Sequence, residues 1–432
     1  MSKKFKILRL SHIFTPSEMA QIVSGIENFS QFPYCKQMAL LADMKVDNCA
    51  ALSRELRKIG HEVVDVYFDL EVPQKKWAEE NEVKWEYDNW QTNILLKQIE
   101  TIKPEILFIQ KTTRLNAKIL HKLKISFPFI KKIILHSAYL GNLGHVGYVD
   151  VLLAGTPSLV DRFQRQGYKP KLFYHYFDSE ILEISREAEI DRHYPITFLG
   201  SSGFGGGYLH ADRYETLCYL MERTPIEAWV NEPKSSKPNY SFRLKMRNSI
   251  KNCMEVLPIS LLRKTLNSQI FPDQYLTIVN ECLREKEFHL EGRKLPSNPI
   301  RSLFKNRCHD ALMGLEYYKV MAKSKISFTK ACNNIYDGKS CQKGDIGALR
   351  LFEATGLGSC LVADTGPNMG DLFEEGKEII TYSSNEDAVE KINYLLSNEN
   401  HRKEIAKAGQ LRTLKDHTAA VRAVEFDWIL QS

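Results

Sequence analysis

Long apolar runs are missing from this chain of 432 residues. No stretch of about 18 uncharged apolar residues occurs, so a membrane-crossing helix is not expected. The N-terminus, MSKKFKILRLSHIF, has only a short apolar segment and no small-residue cleavage site, so the cytoplasm is the expected compartment. Paired cysteines are missing too. The nine cysteines are spread singly without a C-x-x-C pair, and Cys218, Cys253 and Cys282 sit in apolar helical patterns, as reduced buried thiols do. Cys332 and Cys341 bracket NNIYDGKS, but no second pair or histidine cluster completes the four ligands of a structural zinc, and no metal is expected. The first predicted strand, Phe5 to Leu10, lacks a glycine-rich turn after it. A G-x-G-x-x-G there would mark a dinucleotide-binding oxidoreductase; Ser11, His12 and Pro16 stand in its place and argue against NAD chemistry. A strong charge of one sign is also missing. The net charge of +6 is modest, which fits an anionic ligand or surface, and no recognised nucleic-acid module accompanies it.

What is present is a globular composition, with 43% hydrophobic residues, in a chain long enough for two domains of roughly 150–200 residues each. Predicted strands alternate with helices throughout, the pattern of an α/β protein. A helix is expected over about 36–59, then a strand from His61 to Phe68, followed by a polar segment containing Trp77, Trp85 and Trp90. Those indoles are read as helix faces packed on the sheet in preference to sugar-stacking rings. Strands are expected at 105–110, 131–135, 148–154 and 171–176, and a charged run without strong periodicity, 179–195, reads as an interdomain linker. The second domain opens with the strand 196–200. Ser202-Gly203-Phe204-Gly205-Gly206-Gly207 follows it, and backbone N–H groups exposed by so many glycines make Gly203, Gly205 and Gly206 candidates for a phosphate nest.

Residues 343–373, KGDIGALRLFEATGLGSCLVADTGPNMGDLF, form the most informative stretch. Leu349, Leu351, Phe352, Ala354 and Leu357 have helical spacing, Gly356 and Gly358 supply the stop, and Cys360 to Ala363 reads as a buried parallel strand. The helix starts near Gly347, where free N–H groups suit a phosphate. Asp345 and Glu353 stand eight residues apart, and a carboxylate is a natural partner for a vicinal diol. The competing reading pairs Glu353 with Arg350 on a solvated helix face.

The R-x-F-E of Arg350, Phe352 and Glu353, the turn Gly356-Leu357-Gly358, the D-L-F of Asp371 to Phe373 and the E-x-G-K-E-I-I-x-Y of Glu374 to Tyr382 resemble the C-terminal signature of CgeB-like glycosyltransferases, within the group-1 (family 4-like) enzymes. The resemblance implies a GT-B fold: two Rossmann-like α/β/α domains facing across a cleft, with the acceptor on residues 1–185, the nucleotide-sugar donor on 195–415, and a C-terminal helix at 416–432 crossing back to the first domain. It implies metal-independent transfer from a nucleotide diphosphate sugar, a substrate and not a cofactor, to a glycan, lipid-linked or protein acceptor. In such relatives an E-x7-E pair meets the donor, so Glu353 takes the ribose position and Asp345, one carbon shorter than the usual glutamate, the sugar position. Likewise, Arg213 matches an arginine after F-x-G-S, Lys319 lies in the segment before the acidic motif, and His136 in LHSAYLGN matches a histidine near the donor sugar. His136 also lies just past a strand end, where ligands gather in open α/β sheets, with His145 as its competitor. An inverting reaction needs a base on the acceptor hydroxyl, for which His12, His136 and His145 are candidates.

The second domain carries a long helical insertion at about 233–312. Between Lys234 and Lys264 its cations, among them Arg243, Lys245, Arg247 and Lys251, are opposed by Glu255 alone and interleaved with Phe242, Leu244, Ile250 and Leu257. Such a segment fits a solvated basic face, or peripheral contact with an anionic membrane at its inner surface. Two other functions share the scaffold: a nucleotide-sugar epimerase or hydrolase, and a non-catalytic glycan- or lipid-binding protein. The presence of Glu353 argues against the latter.

Overall fold

The computed structural model describes residues 3–432 except 12–22, 48–49, 111–114, 116, 138–147, 190, 205–207, 233–250, 252, 255, 268–277, 280–281, 284, 287–291, 293, 295, 332–333, 337–340 and 348. The first domain is built on six parallel strands, β1 Lys6–Ser11, β2 Glu62–Tyr67, β3 Ile106–Gln110, β4 Lys132–Ser137, β5 Val151–Ala154 and β6 Lys171–Leu172, in the order β2-β1-β3-β4-β5-β6. Strand alternation divides their side chains between two apolar layers. Leu8, Leu10, Leu107, Ile109, Ile133 and Leu135 pack on one side against the helices Trp90–Ile102, Ala117–Ser126 and Pro157–Arg165. Ile7, Phe108, Ile134 and Leu153 pack on the other against the helix Ala50–Lys58 and, from the far end of the chain, Ala423, Phe426 and Ile429 of the helix Ala419–Gln431. The last helix is therefore part of the first domain's core.

The second sheet comprises β7 Tyr194–Ser201, β8 Ile226–Asn231, β9 Cys308–Asp310, β10 Ser324–Thr329, β13 Cys360–Asp364 and β14 Ile380–Tyr382, all parallel, in the order β14-β13-β10-β7-β8-β9. A short antiparallel hairpin, β11 Asn334–Tyr336 and β12 Cys341–Lys343, stands between β10 and the helix Leu349–Gly356. Counted within the domain, the strands run 3-2-1-4-5-6, the doubly wound order, and the direction of winding reverses between β7 and β10. Leu217, Leu220 and Met221 of the helix Tyr208–Arg223 and Ile392 and Leu395 of the helix Asn385–Ser397 cover one face. Tyr318 and Met321 of the helix Gly314–Ala322, with Leu351, Phe352 and Ala354 of Leu349–Gly356, cover the other.

The domains are joined where the chain crosses twice. Phe177 N–H donates to the His417 carbonyl at 2.8 Å and Ala419 N–H to the Phe177 carbonyl at 2.9 Å, so both crossings form one hinge. Beside it, Arg54 of the first domain pairs with Asp178 at 2.5 Å and Glu180 at 2.8 Å.

Several sequence expectations are corrected. The helix expected over 36–59 is two helices, Tyr34–Asp43 and Ala50–Lys58; Lys45 turns left-handed at φ 53, and the Met44 carbonyl just before it accepts from Leu315 N–H of the second domain at 3.0 Å. The irregular linker of 179–195 contains the helix Leu182–Glu189, whose Leu182 and Ile184 pack into the second domain's core. The insertion ends earlier than residue 312, because Cys308–Asp310 is the edge strand of the second sheet. The strands expected at 148–154 and 171–176 are shorter, Val151–Ala154 and Lys171–Leu172. Trp77, Trp85 and Trp90 pack around Ala78 and Ile94, as helix-face residues.

Candidate functional site

In doubly wound sheets the ligand crevice lies beyond the carboxyl ends of the strands where winding reverses. Here those ends are Ser201 on β7 and Thr329 on β10. The chain leaving β7 turns through Gly203 at φ +92 and lies against the first turn of the helix Tyr208–Arg223; a Cβ on Gly203 would stand 2.3 Å from the His210 carbonyl oxygen. Only glycine satisfies both the backbone angle and the approach. Ser202, fully buried, donates to Glu232 at 2.6 Å and accepts from Phe204 N–H at 3.2 Å. Glu232 in turn accepts from the N–H groups of Ile300 and Arg301 at 2.9 and 3.3 Å, so the loop is tied to the short helix Ile300–Leu303. Gly205 and Gly206 lie outside the described residues.

Arg213 reaches from the second turn of its helix to both strand ends. Its Nε donates to the Lys330 carbonyl at 3.0 Å and its Nη1 to the Ser201 carbonyl at 3.4 Å. Lys330, which follows β10 directly, has its ammonium 3.8 Å from Asp364 at the end of β13, and Asp364 also accepts from Ala331 N–H at 2.9 Å. Two cations thus stand at the crevice. Sequence reasoning missed Lys330, although the strand-end rule that singled out His136 applies to it equally.

Glu353 lies one turn into the helix Leu349–Gly356 and is 6% exposed. Tyr317 donates to its Oε2 at 2.9 Å and Tyr318 to its Oε1 at 3.3 Å. Burial first, and then the Glu353 charge, push both phenols far above their ordinary range, so both keep their protons at neutral pH. Arg350, the partner suggested for Glu353 by spacing, lies instead against β7, where a Cβ on Gly200 would be 2.8 Å from either terminal nitrogen of the guanidinium. Gly347 is exposed just before the helix, with nothing within 4 Å of the position of a Cβ. The loop below it is pinned by Asn368, which accepts from Ile346 N–H at 2.7 Å and donates to its carbonyl at 3.2 Å.

The structure separates three other predicted residues from this cluster. Asp345 accepts from Ser158 N–H at 2.5 Å and so caps the first-domain helix Pro157–Arg165. Lys319 is exposed and pairs with Glu316 one turn earlier, because the helix turns its neighbour Tyr318 into the core and leaves Lys319 on the outer face. His136 is 4% exposed, bonds through Nε2 to the Phe173 carbonyl at 3.1 Å and meets the Phe173 ring edge-on. Alternation along β4 places it with Ile134, on the face that the last helix covers. His12 and His145 lie outside the described residues, as does Cys332. Among the described residues no group of three or more His, Cys, Asp or Glu is arranged to hold a metal, and no helix is long and apolar enough to cross a membrane.

Residues 277–427 match the family described as Glycosyl transferase-like. No curated protein matches the sequence. Among solved structures, Anabaena Alr3699/HepE in complex with UDP-glucose superposes with a TM-score of 0.52 at 12% identity, covering 99% of this chain and 99% of that one. An alpha-glucosyltransferase in complex with UDP and a 13-mer DNA gives 0.52 at 12% identity over 100% of both chains. Sucrose-phosphate synthase from Thermosynechococcus elongatus gives 0.51 at 9% identity over 98% of each. At such identities the likeness carries the fold, which spans the whole chain, while the family match carries the assignment of the C-terminal part. Together they give the chain a GT-B architecture whose residues 277–427 match the family described as Glycosyl transferase-like.

Proposed function

We propose that the protein moves a sugar from a nucleotide diphosphate sugar, bound by the second domain, to an acceptor hydroxyl presented by the first. The observation that carries this reading is the meeting of Arg213 and Lys330 with the Gly203 turn, where the winding of the second sheet reverses. A diphosphate placed there has the two cations to offset its charge as it leaves. In this reading Glu353 accepts the ribose hydroxyls and Gly347 marks the open N-terminus of its helix. Structures of this fold have been solved with UDP and with UDP-glucose, which favours a uridine donor.

Asp345 has a different part. Its carboxylate spans the domains, so it contacts the donor sugar only after release from Ser158, and we assign it first to holding the domains together. His136 is assigned a structural part.

The acceptor is a glycan, lipid-linked or protein hydroxyl in surface or cell-envelope glycan synthesis. Peripheral docking at the inner face of an anionic membrane is supported by the cations between Lys234 and Lys264 and by the 44% exposed Leu261 beside Arg263 and Lys264.

Thermal unfolding in the presence of UDP, GDP and dTDP tests the donor site. A nucleotide held at about 100 times its Kd adds about 2.7 kcal/mol of stability. One of the three is expected to raise the Tm by several degrees, with the rise reduced in Glu353→Gln. Unchanged melting with all three would remove the donor-site reading.

A further inference from the structure

A turn of the first domain, residues 44–47, grips the second domain. The Met44 carbonyl accepts from Leu315 N–H at 3.0 Å. Leu315 is the second residue of the helix Gly314–Ala322, which has no side-chain cap, so the first domain satisfies an N–H that the helix itself leaves over. Met313, just before that helix, packs against the first-domain cluster of Leu41, Val46, Tyr67 and Leu70. The Lys45 ammonium pairs with Glu180, just past Phe177 of the hinge.

Two left-handed residues meet at this contact. Gly314 takes φ +58, and a Cβ on it would stand 2.2 Å from the Met44 carbonyl oxygen and 3.4 Å from Val46 Cγ1. Only glycine fits there. Lys45 takes φ 53, which a side chain of its size adopts only when its surroundings hold it there. Arg9 anchors the turn from behind. Its guanidinium, 1% exposed, pairs with Asp47 at 2.6 Å and Asp65 at 2.5 Å and donates to Gln110 at 3.1 Å, which ties the turn to β1, β2 and β3. Buried charges so paired are costly to separate. On the other side, Tyr318, Met321 and Ala322 fix the helix in the second domain's core. The weak plane is therefore the face between turn and helix: one hydrogen bond, a half-buried methionine and an ion pair whose glutamate is 42% exposed.

We propose that residues 44–47, seated on Gly314, are a latch that holds the two domains at their present separation and opens in concert with the contact of Asp345 on Ser158. Ser158 follows β5, two strands from β3 in the sheet, so the latch and that contact lie at separate places along the domain boundary. A swing about the hinge at Phe177 breaks both, whereas a disturbance local to Gly314 breaks only the first. Release also uncaps the helix that carries Tyr317 and Tyr318, the partners of Glu353, so separation of the domains is transmitted to the donor side.

Hydrogen–deuterium exchange of the free protein tests this, with small-angle scattering beside it. In Gly314→Ala the Leu315 amide is expected to exchange about tenfold faster than in the wild type, the equivalent of one hydrogen bond. Ser158 should gain a similar factor and the radius of gyration should rise, while the amides of β3 and β13 keep their protection. A faster Leu315 with Ser158 and the radius of gyration unchanged overturns the inference, because the clash is then local; so does an unchanged Leu315. Loss of protection throughout would mean that Gly314→Ala does not fold, and the decision then passes to Lys45→Met, which removes the ion pair and leaves the Met44–Gly314 contact untouched. That variant is expected to speed both amides about threefold, as for an exposed ion pair, and no change at Ser158 refutes the latch. No nucleotide is present, so failure of the donor site would leave every outcome as it stands.

Discussion

The ring of Phe177 lies directly over Gly356: a Cβ added to that glycine would stand 2.5 Å from Phe177 Cδ2. Phe177 belongs to the hinge, and Gly356 ends the helix that carries Glu353, so the aromatic ring couples the domain junction to the donor side. Nothing about the backbone angle of Gly356 demands glycine; the approach of the ring does. Gly356→Ala is therefore expected to destabilise the protein by about 1–3 kcal/mol, the usual range for overpacking a close contact. Phe177→Leu in the same chain should recover part of the loss. Chemical denaturation of the four members of the cycle measures the coupling, and additive effects would show that ring and glycine do not share the strain.

Asp345 and Ser158 are 187 residues apart in sequence and 2.5 Å apart in space, which makes one carboxylate the cap of a helix in the other domain. Thr156 already serves the adjacent residue of the same first turn, accepting from Leu159 N–H at 3.4 Å, so Asp345 satisfies a second N–H that the helix itself leaves over. Asp345→Ala should cost about 1–2 kcal/mol, and for a domain of this size that lowers the Tm by a few degrees. Asp345→Asn, which keeps an acceptor oxygen, should lose less. Melting curves without nucleotide distinguish this from a role confined to the sugar, which would leave the melting of the free protein unchanged.

Local signals in the chain were read well and distant ones poorly. The helix, turn and strand around Glu353 follow from apolar spacing and two glycines, and the structure places them at Leu349–Gly356, Gly358 with φ +73, and Cys360–Asp364. Arg213 was read as lying at a helix start soon after a glycine turn, and the structure places it in the second turn of the helix Tyr208–Arg223. Lys330 was not legible, because its role comes from strands at residues 194–201 and 360–364 that bracket it in the sheet. His136 was placed at a strand end, yet the side of the sheet it faces depends on the helix Ala419–Gln431, nearly 300 residues later. The break after Asp43 was equally hidden: the Met44 carbonyl bonds to Leu315 across the domain boundary. The break at Met44 and the surroundings of His136 and Asp345 share one cause, a partner supplied by another part of the fold.

His417 gives the hinge a defined pH response. It is 4% exposed, stacks on Phe352 with ring centroids 4.3 Å apart and bonds through Nε2 to the Leu372 carbonyl at 2.9 Å. Burial pushes its imidazole down from 6.5 to about 4, against the opposing pull of the Leu372 carbonyl and with further lowering by Arg422 and Arg412. Between those two values the unfolded chain takes up a proton that the folded chain does not, so this contribution is complete above pH 6.5 and is lost as the pH falls toward 4. From pH 7.5 to pH 5 the loss comes to about 2 kcal/mol. His417→Gln keeps a donor for the Leu372 carbonyl and cannot titrate. Its deficit relative to the wild type should therefore shrink by that amount between pH 7.5 and pH 5 in urea unfolding, whereas a constant difference across the range would mean that His417 is free to charge in the folded hinge.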